Sequence, residues 1–146
     1  MLVLNDSNSR MNVQAGWRMK FREHGGFTIQ IEPGLLLVDA TGPFNDELLK
    51  RYNRALESSI QQLEASAWVQ IISLHQTSLF TPEAESILTA TLIERRSRGL
   101  QAGYLILEDV EFRSLVQEQL SRCYNQAGVA HQFFDCMSAL SHKLSC

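Results

Sequence analysis

FTIQIEPGLLLV, residues 27–38, sets two apolar runs on either side of Pro33-Gly34. Residues 27–32 alternate apolar and polar with period two, as a strand with one wet face does, and residues 35–38 are apolar throughout, which suits a strand covered on both faces. Proline fixes φ and glycine accepts positive φ, so Pro33-Gly34 can form the central pair of a type II turn. Two antiparallel neighbouring strands follow.

Working outward, Gly42-Pro43-Phe44-Asn45 breaks the second strand. Asn45 can cap a helix that Asp46 and Glu47 begin with favourable charge. Leu48, Leu49, Tyr52, Leu56, Ile60 and Leu63 then recur at helical spacing opposite Lys50, Arg51, Arg54 and Glu57, which predicts a long surface helix packed on a sheet. Residues 68–74 (WVQIISL) read as a strand. Thr81-Pro82-Glu83 is a helix start, with a hydroxyl cap, a proline in the first turn and an acid at the positive dipole end. Its predicted buried stripe is Ala84, Ile87, Leu88, Thr91 and Leu92, and Arg95, Arg96 and Arg98 before Gly99 make a cationic last turn, which with Glu94 could hold an anionic ligand but is better explained by the helix itself.

Residues 102–107 read as a central strand. Asp109 is placed as the cap of a further helix whose inner positions are Phe112, Leu115, Val116, Leu120, Cys123 and Tyr124, with Gly128 as its stop. Residues 131–134 give a short strand, and 135–144 a closing helix around Met137, Leu140 and Leu144. Parallel strands need crossovers and each helix supplies one. The prediction is an α/β sandwich with a mixed, mainly parallel five-stranded sheet and about four helices.

The 146 residues suit one domain able to bury a core. Residues 1–20 read as a loosely ordered leader, with Trp17 packing back on the domain, and residues 21–146 as the domain itself. The opening apolar stretch is too short for a signal-peptide core or a membrane span. A formal net charge of −3 gives no basic footprint for nucleic acid. Cys123, Cys136 and Cys146 form no Cys-x-x-Cys pair and no secreted disulfide framework, which points to reduced thiols in a cytoplasm.

The order of two strands followed by alternating helices and strands is that of the STAS fold. Local text adds to it: His24-Gly25-Gly26-Phe27, Gly42-Pro43-Phe44-Asn45-Asp46-Glu47, Trp68 opening the third strand, Thr81-Pro82-Glu83-Ala84, and Phe133-Phe134-Asp135. On these residues the chain, over roughly 24–144, resembles the bacterial SpoIIAA-like family, small STAS-type proteins similar to anti-sigma factor antagonists. The resemblance implies a regulatory or protein-binding domain, not an enzyme. Regulatory STAS proteins carry a phosphorylated serine in an Asp-Ser-Ser-Gly-like segment at the start of the second helix. That text is replaced here by Phe80-Thr81-Pro82-Glu83, which leaves Thr81 as the nearest hydroxyl and Ser78 as the second candidate phosphoacceptor. Thr81 is better explained as a helix cap than as a phosphoacceptor, and Glu83 would oppose a phosphate there.

No glycine-rich phosphate motif follows a strand, so no nucleotide cofactor is expected. His24, His75, His131 and His142 are dispersed, and the grouping His131, Asp135, Cys136 lacks a second histidine, so no metal is expected. Cys123 reads as a core residue, and Cys136, in a first helical turn, as the one thiol to test for reactivity. Open α/β sheets bind ligands at the carboxyl edge of their strands. Residues 73–80 (SLHQTSLF) and the turn at Gly42 share that edge, which makes Phe44, Asn45, Leu79, Phe80 and Glu83 the candidate binding surface. Phe44, Leu79 and Phe80 serve equally as plugs for the sheet edge. The occupant is a protein partner, or alternatively a small hydrophobic or amphiphilic ligand carried or sensed, with a membrane surface as one setting; an apolar cavity under these loops would favour the ligand. A cofactor-free enzyme using Asp109, His75 or Cys136 requires a convergence that spacing does not show. Homodimerisation through an apolar face of the first strand or long helix stays open.

Overall fold

A computed structural model describes residues 26–144, with side chains through 140. The leader, Trp17, His24-Gly25 and Cys146 lie outside the described residues, as do the side chains of His142 and Leu144. The elements run β1 (Gly26–Glu32), β2 (Leu35–Thr41), α1 (Asp46–Leu63), β3 (Trp68–Gln76), α2 (Pro82–Ser97), β4 (Leu100–Val110), α3 (Arg113–Ala127), β5 (Ala130–Phe134) and α4 (Met137–Leu144).

The sheet order is β1-β2-β3-β4-β5, antiparallel between β1 and β2 and parallel elsewhere. Each new strand adds on the same side of the last, so right-handed crossovers put α1, α2 and α3 on one face. The main core accordingly joins Leu36, Val38 and Ala40 of β2, Ile72 and Leu74 of β3, and Leu105 and Leu107 of β4 to the inner stripes of those three helices. On the opposite face a smaller cluster of Ile71, Ile106 and Phe134 is covered by Leu140 of α4.

The local chemistry explains the elements. Gly34 takes φ +70° between Glu32 and Leu35, which pair across the turn. Asn45 caps α1 by accepting from the Leu48 amide, and Thr81 caps α2 by accepting from the Ala84 amide. The buried stripe of α1 is the six residues that periodicity selects. In α2 the stripe is Ala84, Leu88, Thr91 and Leu92, joined by Arg95, while Ile87 is half-buried.

Three expectations need correction. β3 continues to Gln76, so residues 73–76 are strand and not loop. β4 continues to Val110, so Asp109 lies in the sheet and caps nothing; α3 starts at Arg113 behind Phe112, which has left-handed backbone and no side-chain cap. Phe112 and Leu115 are therefore exposed instead of inward-facing, as is Met137 of α4.

Two register slips explain β4. Trp68 pairs with Leu100 and Val69 with Ala102, then Ser73 pairs with Ile106 and His75 with Asp109. Each slip gives β4 one extra residue, a β-bulge. Side chains alternate faces along a strand, so Asp109 would otherwise share the helix face of Leu105 and Leu107. The second bulge turns it to the opposite face, beside His75.

Candidate functional site

Three short segments leave the carboxyl edge of the parallel strands: 42–45 after β2, 77–81 after β3 and 111–112 after β4. The first two are zipped together. Phe44 and Phe80 form a parallel bridge, the Phe44 amide donates to the Leu79 carbonyl (2.9 Å) and the Thr81 amide to the Phe44 carbonyl (3.0 Å). The two phenyl rings stack tilted, with centroids 4.7 Å apart. Gln119 of α3 clamps the zipper from below, its Oε1 accepting from the Phe80 amide and its Nε2 donating to the Phe80 carbonyl. Phe44 belongs to the main core and the half-buried Phe80 packs against it.

The Ser78 hydroxyl is fully buried; it donates to the His75 carbonyl at 2.7 Å and accepts from the Gly42 amide at 3.3 Å. A kinase could reach it only if segments 42–45 and 77–81 parted. The Thr81 hydroxyl is held by its capping bond to Ala84 at 3.1 Å, and Glu83 is exposed beside it. Asn45 spends its side chain on the α1 cap.

Beneath the zipper lies an apolar cavity of about 40 Å³, lined by Phe44 and Phe80 together with Phe27, Tyr52, Leu88 and Tyr124 among others. Leu79 packs on the core without lining it. That volume is close to one water's share of liquid, roughly 30 Å³, in an almost wholly apolar site. Pockets that enclose a drug-sized ligand measure roughly 300–1,000 Å³, so as folded this cavity has no room for an amphiphile.

At the same edge, on the other face, β2, β3 and β4 bring together Asp39, His75 and Asp109. His75 Nδ1 lies 2.8 Å from Asp109 Oδ1, and Nε2 lies 3.0 Å from Asp39 Oδ2. The Asp39 hydrogen bond, against partial burial and with help from Asp109, lifts the imidazole from 6.5 to about 9. Near neutral pH the ring is thus an imidazolium donating from both nitrogens. In that state the ring holds no free lone pair, and its two hydrogen bonds tie three strands together. Thr77, which donates to Glu111 at 2.9 Å, continues the tie into the loops. The structure places His75 and Asp109 together as a catalytic reading would require, but Cys136 belongs to the β5–α4 junction, its thiol 3.2 Å from the Ser138 hydroxyl, which holds it below the ordinary thiol range. Sequence could have flagged the cluster only through single charged residues near the ends of otherwise apolar strands.

The pH dependence has a definite sign. A raised folded pKa means the tie is fully present below pH 6.5 and fades as pH rises to about 9, as long as both carboxylates stay ionised. A shift that large sets a ceiling of roughly 3 kcal/mol. With nearly a third of the histidine and more than half of each carboxylate side chain in water, about 1 kcal/mol is expected. Urea denaturation at pH 6.5 and pH 9 should show that loss in the wild type, and His75→Gln should remove most of the difference.

Elsewhere the candidates are structural. Cys123 is buried against α2, and burial pushes its thiol up. His131 packs between Tyr124, tilted against its ring, and Phe133, edge to face, and Asp135 pairs with Arg113. Among the described residues no group of three or more His, Cys, Asp or Glu side chains is placed to hold a metal ion, and no helix is long and apolar enough to cross a membrane. Sequence reasoning missed Phe112, which is 64% exposed at φ +53° where the edge meets α3, with Leu115 one turn on also exposed. Compared with protein-family models, curated proteins and solved structures, the chain gives no match.

Proposed function

We propose that the protein is a SpoIIAA-like, STAS-type domain that works in the cytoplasm by binding, docking a protein partner at the carboxyl edge of its sheet. Phe112 is the anchor, and the segment from Phe80 to Glu83 is part of the same edge. The observation that carries the reading is Phe112 itself. A non-glycine residue in left-handed backbone costs about 1–2 kcal/mol, and such strain gathers at functional positions. Here it is spent holding a phenyl ring in solvent. Aromatic residues, Phe among them, are enriched at the cores of protein interfaces relative to the rest of the surface. The Gln119 clamp and the His75 tie make the edge stiff beforehand, which lowers the ordering cost of association.

The reading needs no phosphoacceptor, since Thr81 is engaged as a cap and Ser78 is interior. The cavity under Phe44 and Phe80 gives the carrier alternative too little space. The thiols Cys123 and Cys136 are free, in keeping with a reducing compartment.

The test is a photo-crosslinking amino acid placed at position 112 in the source cells, with the exposed Gln62 of α1 as control. One protein captured from 112 and not from 62 is the expected result. No capture, or equal capture from both positions, would overturn the proposal.

A further inference from the structure

Burying a guanidinium without a carboxylate costs several kcal/mol, because desolvation is not repaid. Arg95 is 1% exposed in the last turn of α2, and none of the described carboxylates pairs with it. Its Nη2 donates to Asn53 Oδ1 at 2.9 Å, and the group lies 5.1 Å over the Tyr52 ring. Among the described residues Nε and Nη1 have no hydrogen-bond partner, nor do Gln70 Oε1 and the Tyr124 hydroxyl. These orphans belong to one neighbourhood. Gln70 pairs with Gly103 across the sheet, and the Tyr124 hydroxyl lies 2.8 Å from where a Gly103 Cβ would be. Gln70 Nε2 in turn faces the hydroxyl of the same Tyr52 at 3.4 Å. An internal water could answer the donors and Gln70 Oε1 alike, whereas an anion would answer the Arg95 donors and add to the charge that Glu57 supplies from the groove wall without a direct ion pair.

A groove of about 300 Å³ runs over this spot between α1 and α2, lined by Asn53, Arg54, Glu57, Ile60, Glu94 and Arg95. Its two acids are engaged by Arg98, which bonds Glu57 through Nη1 and Nη2 at 3.0 and 2.9 Å and reaches Glu94 at 3.5 Å. That pairing holds the Glu57 carboxyl below its ordinary range. Arg54 is exposed with no partner among the described residues. The groove therefore sets Arg54 beside Arg95, whose buried Nε and Nη1 lack a hydrogen-bond partner among the described residues.

We propose that this groove binds a small anion bearing a carboxylate or phosphate group, recognised by Asn53 and Arg95 on the floor and Arg54 at the mouth. Arg98 is held by Glu57 and by Glu64 at 2.6 Å, so of the clasp only the 3.5 Å reach to the exposed Glu94 is weak enough to give way to it. This site is separate from the docking edge and goes beyond it.

The experiment follows the Arg95 Nε–H resonance and the melting temperature of the full chain against sodium phosphate and, separately, sodium acetate, at constant ionic strength. The expected result is a saturable Arg95 shift with a raised melting temperature in at least one series. A response to phosphate alone assigns a phosphoryl ligand, and to acetate alone a carboxylate. Asn53→Asp builds the missing carboxylate into the chain, so it should raise the melting temperature in plain buffer and weaken anion binding at least tenfold. Arg54→Ala, exposed and without structural duty, should weaken binding about threefold with the melting temperature unchanged. No saturation by ~50 mM of either anion, a response that survives Asn53→Asp, or a bound-water signal at Nε–H without any anion response would each overturn the proposal.

Discussion

Trp68→Ala is expected to destabilise the protein by about 4 kcal/mol, within the roughly 3–5 kcal/mol measured for emptying a large buried aromatic site. Trp68 opens β3 at 1% exposure and belongs to the main core. Its Nε1 donates to the Arg98 carbonyl at the end of α2, and its backbone amide donates to the Gly99 carbonyl. Gly99, at φ +105°, leaves room for the indole, which would meet an added Cβ at 3.1 Å. One side chain thus joins the third strand to the turn between α2 and β4. Trp68→Phe keeps most of the volume and loses the hydrogen bond, so about 1–2 kcal/mol is expected. Chemical denaturation of both variants measures the contrast; equal losses would mean that volume is not what holds this corner.

Gly42→Ala acts at the opposite end of the sheet and should cost about 3 kcal/mol. An added Cβ would lie 2.5 Å from the Thr77 carbonyl oxygen and 2.8 Å from the Ser78 Cα. Both are backbone atoms, so no side chain can step aside and the two segments must separate. Their separation would break the Gly42–Ser78 hydrogen bond and strain the Phe44–Phe80 bridge. Hydrogen exchange at the Phe44 and Thr81 amides reports this directly, because both donate across the zipper. Faster exchange there, together with the global loss, is the expected pattern. Unchanged protection at both amides would contradict the close approach.

The parts of this architecture legible in sequence are those set by local chemistry. The six inward residues of α1, the Asn45 and Thr81 caps and the Gly34 turn all follow from neighbours within a few positions. What escaped depends on other strands. The bulge that re-aims Asp109 exists only in the pairing of β4 with β3, so in isolation Asp109 after an apolar run resembles a helix cap. Phe112 lies four residues before Val116 and would share its buried stripe had the helix begun earlier; the left-handed turn swings it into water. Arg95 reads in sequence as a last-turn cation satisfying the helix dipole, like Arg96. Its burial is decided by where α1 crosses α2, which no spacing within α2 reveals.

Docking through a strained Phe112 separates stability from function in one substitution. Phe112→Gly relieves the left-handed backbone and should stabilise the fold by about 1 kcal/mol, while removing the proposed anchor. Native mass spectrometry of the wild type and Phe112→Gly, each purified gently from the source cells, is the most direct measurement. The account predicts a protein partner retained by the wild type and lost from a variant that melts higher. A partner equally retained by the variant, a small-molecule adduct in place of a protein, or wild-type chain with nothing bound would contradict it.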